Sequence, residues 1–189
     1  AIKSDFSLNW FRLILILMRS VLFFYMWDRN QHIFSDVVST LKELKKQGFD
    51  VELDCEPTKT WLGDAVKNSY NRDVSKFTEA FLFMADRATH VLKIKELFKQ
   101  DKIVILDRYY DSTIAYQGFG HRINLNQLNN IVNFATSGLK PDLTLLFDLD
   151  VEVGLARRQQ DGGINRLDAF ELAFHQRVRA GYHELAAAE

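Results

Sequence analysis

Two short runs carry residues able to do chemistry together. The first is Asp107-Arg108, with Ser112 and Tyr116 following. A carboxylate beside a guanidinium can hold a metal-bound water and an anion side by side. If 111–117 is helical, Ser112 and Tyr116 lie four apart on one face, so a hydroxyl and an aromatic ring point at the same ligand. The second run is Phe83 and Arg87, one helical turn apart, which pairs a ring with a guanidinium. Taken alone, an Asp-Arg pair is as well explained by a surface ion pair worth about 0–1 kcal/mol. The segments around these runs decide the matter.

Asp107 ends a wholly apolar run, Ile103 to Leu106, three of whose four residues are β-branched. This predicts a short strand buried on both faces, as in parallel sheets, whose ligands bind beyond the strands' carboxyl ends. The spacing predicts further strands at 21–27, 49–53 and 143–149. Helices are expected at 34–47, closed by Gly48, and at 59–70, 75–99, 125–136, 151–158 and 167–186. Asn124 is the expected N-cap of the 125–136 helix, with Gln127 as its partner. On the 75–99 helix Phe77, Phe81, Met84, Ala88 and Val91 form the expected core stripe, with Phe83 and Arg87 on a second face. Strand, helix, strand alternation predicts an α/β domain, three layers deep, with a parallel sheet and the Asp107 strand near its centre.

The 189 residues suffice for one domain spanning 1–189. With 24 basic and 25 acidic side chains, net −1, no overall charge points to nucleic acid. The single cysteine, Cys55, excludes an internal disulfide and suits a reducing cytoplasm. Five scattered histidines show no zinc-ligand spacing. The stretch from Trp10 to Trp27 is nearly all apolar, but Arg12 and Arg19 make a membrane span costly, and no small-residue cleavage site follows it. Residues 1–20 read as an atypical N-terminal extension, with 10–18 an added strand or helix on the core.

Several blocks, in order, resemble the thymidylate kinases, a branch of the nucleoside monophosphate kinases. They are Glu56-Pro57-Thr58 with Leu62-Gly63, Phe83 to Val91, Lys102 to Gly118, Phe134 to Leu143, Asp150 to Arg157, and Phe174 to Tyr182. The resemblance implies a P-loop-type fold and transfer of a phosphoryl group from ATP to dTMP, giving dTDP. It implies that Phe83 stacks on the thymine, Arg87 bonds the base edge, and Arg108 holds the acceptor phosphate. Asp107 would lie near Mg²⁺, holding it indirectly. Glu56, Ser112 and Gln117 would line the nucleoside pocket, with Tyr116 against the sugar. Arg157, Arg158 and Arg166 would belong to a lid, about 157–166, closing over ATP, and Arg158 would take part in catalysis. A cytoplasmic homodimer burying the apolar side of the 75–99 helix is also implied, without nucleic-acid or membrane partners.

Three departures stand against these matches. The family opens with a Gly-rich loop ending in Gly-Lys-Ser/Thr, whereas Phe24 to Phe34 contains neither glycine nor lysine. Cys55 stands where the family has an arginine before Glu-Pro. The family also continues into one more strand and helix after the segment that here stops at Glu189. Backbone amides and a lysine normally cradle the donor phosphates. The acceptor half is therefore expected mostly intact, short of one phosphate partner at Cys55, and the donor half impaired. The alternative function is a nucleotide-binding or regulatory homologue without turnover.

Overall fold

The computed structural model describes residues 41–160 and 170–188, and the backbone of the strand at 22–26. In chain order the elements are β1 (Leu22–Met26), the helical segment α1 (41–46), β2 (Val51–Cys55), α2 (Trp61–Ser69), α3 (Lys76–Lys99) and β3 (Ile103–Asp107). There follow α4 (Tyr110–Thr113), a π-helix (Ile114–Gly120), α5 (Leu125–Thr136), β4 (Leu143–Phe147), α6 (Val151–Gln160) and α7 (Leu172–Ala188). The four strands form one parallel sheet in the order β2-β3-β1-β4. β3 is one of the two inner strands, as its apolar run predicts. The expected β2 is displaced by two residues, to Val51–Cys55. α7 starts at Leu172 rather than near 167. The expected 10–18 element and the first part of the 34–47 helix lie outside the described residues.

Alternate residues of β3 serve opposite layers. Val104 and Leu106 pack with Val91 and Ile94 of α3 and with Phe174, Val178 and Tyr182 of α7. Ile103 and Ile105 pack with Leu41, Leu44 and Val51. Helices therefore cover both faces, and each strand side chain loses water on burial, worth about 1.5–3 kcal/mol for a large aliphatic group. α1 closes as its glycine predicts. Gly48 takes φ +88°, and the amides of Gly48 and Phe49 bond the carbonyls of Lys45 and Leu44. Thr60 and Ser75 cap α2 and α3, and the Asn124 side chain accepts from the Gln127 amide at 3.1 Å.

The long helix α3 corrects one expectation. Phe77 and Phe81 are exposed, whereas Glu79, Asp86, Arg87 and His90 are buried with Ala80, Met84, Val91 and Ile94. The predicted stripe mixed two faces: Met84 and Val91 are buried, whereas Phe77, Phe81 and Ala88 are exposed, and polar groups share the buried face. Its polar groups are satisfied by partners from β2 and from the segment after β3. Among the described residues no helix is long and apolar enough to cross a membrane.

Candidate active site at the carboxyl ends of the strands

Parallel pairing brings the ends of β2, β3 and β1 together. Cys55 lies opposite Asp107, and Phe24 of β1 is also in register with Asp107. The Glu56 amide donates to the Asp107 carbonyl at 3.1 Å, which extends the ladder one residue beyond β2. Arg108 then adopts φ +68°, a left-handed conformation that costs a non-glycine residue of order 1 kcal/mol or more. The turn lifts the chain off the sheet, and the half-buried Arg108 guanidinium comes to lie 5.6 Å from the centre of the Tyr116 ring.

A small cleft opens there. It is lined by Glu56, Pro57, Tyr70, Phe83, Arg87, Arg108, Tyr109, Ser112, Thr113, Tyr116 and Gln117. The structure thus gathers Phe83, Arg87, Arg108, Ser112, Tyr116, Gln117 and Glu56 from three separate stretches into one wall. The segment after β3 does this differently from a plain helix. A single α-helical turn at Tyr110–Thr113 passes into the π-helix, where the His121 amide bonds the Tyr116 carbonyl at 2.9 Å. The wider turn lets Tyr116 and Gln117 both join Ser112 and Thr113 on the cleft side. Gly120 permits it: a Cβ there would meet the Phe174 ring at 2.7 Å, so α7 packs directly on the π-helix.

Arg87 is only 1 % exposed and its donors are well used. Nε and Nη2 donate to Glu56 Oε2 at 2.9 and 2.7 Å, and Nη2 also to the Tyr109 carbonyl at 3.2 Å. Nη1 donates to Thr113 Oγ1 at 3.0 Å and, weakly, to the Met84 thioether at 3.8 Å. That last contact is the one an incoming carbonyl oxygen can replace at least cost. Behind Glu56 stands His90, whose Nδ1 lies 3.0 Å from Glu56 Oε1. Its Nε2 lies 3.2 Å from Asp54 Oδ2, near enough for an ion pair but bent off the hydrogen-bond line. Burial alone would lower the imidazole's pKa. The two carboxylates outweigh that and hold it at about 9, so His90 is an imidazolium at neutral pH.

Asp86 fixes the loop on the other side. Its carboxylate accepts from the Thr58 amide at 2.8 Å and from the Thr58 hydroxyl. Gly63 lets α2 touch that loop, since a Cβ there would meet the Thr58 carbonyl oxygen at 2.0 Å. On the far wall the Gln117 amide donates to buried Glu79 at 2.7 Å, and the Tyr182 hydroxyl donates to Ser112 at 3.0 Å. Burial pushes the Tyr182 phenol up, which keeps it a donor. Cys55 is half-buried, and burial, then the Asp54 and Asp107 carboxylates, raise its pKa and keep it a neutral thiol. Asp107 is half-buried at the strand end. Arg157 lies half-buried on α6 and does not line the cleft. Arg166 and the Arg158 side chain lie outside the described residues, as does the segment from Trp27 to Thr40.

Sequence reasoning missed Tyr70, Thr113, Asp54 and His90. His90 had a readable signal, because Asp86, Arg87 and His90 fall within one turn of α3. Tyr70 had none, because it comes from the end of α2 and meets Phe83, 6.5 Å between ring centres, only through tertiary packing.

Comparison with known proteins agrees with this arrangement. The thymidylate kinase family model matches residues 35–189. A thymidylate kinase of Nostoc sp. is 41% identical over 151 residues, covering 76% of this chain and 72% of the relative. One from Thermomicrobium roseum is 44% identical over 147 residues, covering 76% and 70%. One from Halothermothrix orenii is 39% identical over 152 residues, covering 77% and 73%. The family match begins just after the Phe24–Phe34 stretch and includes every residue that lines the cleft. On this match, and on relatives well above 30% identity, the chain belongs to the thymidylate kinase family.

Proposed function

We propose that this chain transfers the γ-phosphoryl group of ATP to dTMP, giving dTDP, with the cleft as the acceptor site. One observation carries the reading. A ring, two guanidinium groups, a hydroxyl and a carboxamide converge on one cleft beside the Asp107 strand end, inside the stretch matched by the family. Phe83 stacks on the thymine, and Arg87 Nη1 exchanges its weak Met84 contact for a base oxygen. Arg108 holds the acceptor phosphate, while Tyr116, Ser112 and Gln117 confine the sugar and base. Phosphoryl transfer rests on such positioning and on charge stabilisation.

Mg²⁺, when bound, neutralises charge on the transferring phosphoryl oxygens. Asp107, at the end of β3, would help to hold it. Among the described residues no three ligating side chains cluster, which fits an ion held largely by phosphates and water. Arg157, Arg158 and Arg166 supply the lid over ATP, with Arg158 catalytic. We take residues 1–189 as one kinase-like domain, with 1–20 its extension and 157–166 its lid. The setting is cytoplasmic, as the free thiol of Cys55 suits. Phe77, Phe81 and Leu92, exposed along α3, support a two-fold homodimer through that helix.

The test is calorimetry with dTMP beside a coupled ADP-release assay on the full chain. The expected result is dTMP binding with dTMP-dependent ADP release. Failure to bind dTMP at millimolar concentration would overturn the acceptor site. Binding without release would instead assign the chain a nucleotide-binding role, with the defect in the Phe24–Phe34 stretch.

A further inference from the structure

We infer that His90 is a positioning residue for the acceptor site: clamped between Asp54 and Glu56, it fixes the Glu56 carboxylate that aims Arg87 into the cleft. The inference rests on the acceptor-site reading above and adds to it a residue that does not line the cleft. Glu56 divides its two oxygens between two cations. Oε2 takes both Nε and Nη2 of Arg87, and Oε1 takes Nδ1 of His90. With only Oε2 engaged, the carboxylate could turn about its Cγ–Cδ bond and shift the Nε–Nη2 edge of the guanidinium, leaving Thr113 and the Tyr109 carbonyl to hold the rest. The His90 contact removes that freedom. Together with the Thr113 bond, it thereby sets the direction of Nη1, the Arg87 group with a weak contact to give up.

The charge balance points the same way. Two carboxylates, Asp54 and Glu56, flank Cys55 at the end of β2, and both face His90. From α3 itself, Arg87 stands one turn before His90 and pairs with Glu56, and Lys93 stands one turn after and pairs with Asp54 at 2.6 Å. His90 is the one cation among these that touches both acids. Its side chain is 1% exposed, so water cannot take over its bonds. Removing it leaves two anions at the strand end with nothing between them.

The experiment measures dTMP affinity for the wild type, His90→Ala and His90→Gln. The affinity for 2-deoxyribose 5-phosphate, which lacks the base, is measured by competition. Loss of a charge-assisted contact acting through one intermediary predicts dTMP binding weakened about 10-fold in His90→Ala. His90→Gln, which can still donate to Glu56, should stay within about 3-fold. The base-free sugar phosphate, held by Arg108, should bind all three equally. Glu56→Gln and the double variant Glu56→Gln/His90→Ala should match each other, because His90 acts through Glu56. His90→Leu, close to histidine in size and without a donor, takes the place of His90→Ala in both comparisons where the alanine variant does not fold. Wild-type dTMP affinity in His90→Ala, an equal loss for both ligands, or additive effects in the double variant would overturn the inference. Failure of the wild type to bind dTMP would instead overturn the acceptor-site reading, and this inference with it.

Discussion

On one side of α3, Glu79, Asp86, Arg87 and His90 are each no more than 3% exposed. On the other, Phe77 is 54% exposed, Phe81 60% and Leu92 68%. Ala80, Met84, Val91 and Ile94 share the inner face, so the usual apolar stripe meets the core, but these buried charges and exposed rings invert the usual arrangement in part. The inner face tolerates its charges because every one is matched across the gap to the segment just after β2 or to the π-helix. Glu56 answers Arg87 and His90, Thr58 answers Asp86, and Gln117 answers Glu79. A buried pair of this kind adds little net stability relative to apolar packing, but loss of one partner strands the other. The inner face therefore turns its charges to partners within the fold, and the outer face leaves Phe77, Phe81 and Leu92 exposed.

The largest effect should come from stranding Glu56. Arg87→Ala removes two bonds to Glu56 and one each to Thr113 and the Tyr109 carbonyl. Breaking a buried pair this way costs about 3–5 kcal/mol, read as a lower urea midpoint. dTMP binding should fall below detection in the same variant. Arg87→Met, if as stable as the wild type, would show that the inner face is not organised around this pair.

Next comes pH. His90 has an ordinary pKa of 6.5 and is held at about 9 in the fold. The folded state therefore binds the proton more tightly. Its stabilisation is fully present below pH 6.5, declines as pH rises, and is gone above about 9. The shift corresponds to roughly 3 kcal/mol across that window. Asp54, depressed below the usual carboxylate range despite its burial because His90 and Lys93 lie beside it, adds an acid limb. Stability from that limb is present at neutral pH and declines as pH falls through the carboxylate range. Both limbs report one shared contact and do not sum. Unfolding free energies from pH 6 to 9.5 should decline in the wild type and flatten in His90→Gln. Equal slopes in the two proteins would place the titrating group elsewhere.

These inner-face contacts also show how far the sequence could be read. β3 and the sheet's parallel sense were legible because Ile103 to Leu106 is apolar at every position, which only a doubly covered strand requires. The fold class followed from the alternation of elements. Phe83, Arg87, Arg108, Ser112 and Tyr116 were named from local spacing and resemblance, and local spacing survives folding. The α3 stripe was misread because Phe77 and Phe81 at helical spacing resemble a core. Nothing local announces that Glu79 and Asp86 will find partners dozens of residues away. The π-helix was invisible for the same reason. Its wide turn depends on Gly120 meeting Phe174 of α7, a contact over fifty residues apart in sequence. Residues 27–34 and 161–169, which carried expectations about donor binding, lie outside the described residues.

The outer face gives a smaller intrinsic effect but a large change in assembly. Phe77→Lys/Phe81→Lys touches side chains that are already more than half exposed, so each should alter the monomer's stability by about 0.5 kcal/mol or less. Sedimentation at tens of micromolar, an ordinary range for interface affinities, should move from dimer to monomer. An unchanged sedimentation coefficient would detach the apolar stripe from dimerisation and leave the inversion of α3 without its outer half.

The smallest effect sharpens the comparison most, because it holds the anion constant and varies only the cation's burial. Asp54 pairs with both His90 and Lys93, which are three residues apart on α3. The Lys93 contact is the shorter, at 2.6 Å against 3.2 Å, so distance alone ranks it stronger. Its side chain, however, is 55% exposed, against 1% for His90. Water screens the lysine charge and readily replaces its hydrogen bond, and holding the long side chain still has an entropic cost. Lys93→Ala should therefore cost about 0–1 kcal/mol and leave dTMP affinity unchanged within error. Raising the salt concentration should shrink even that difference, while the His90 variants stay insensitive to salt. If Lys93→Ala instead equals His90→Ala in stability and dTMP binding, proximity to Asp54 rather than burial governs this cluster. The imidazole would then lose its distinct place between the two acids.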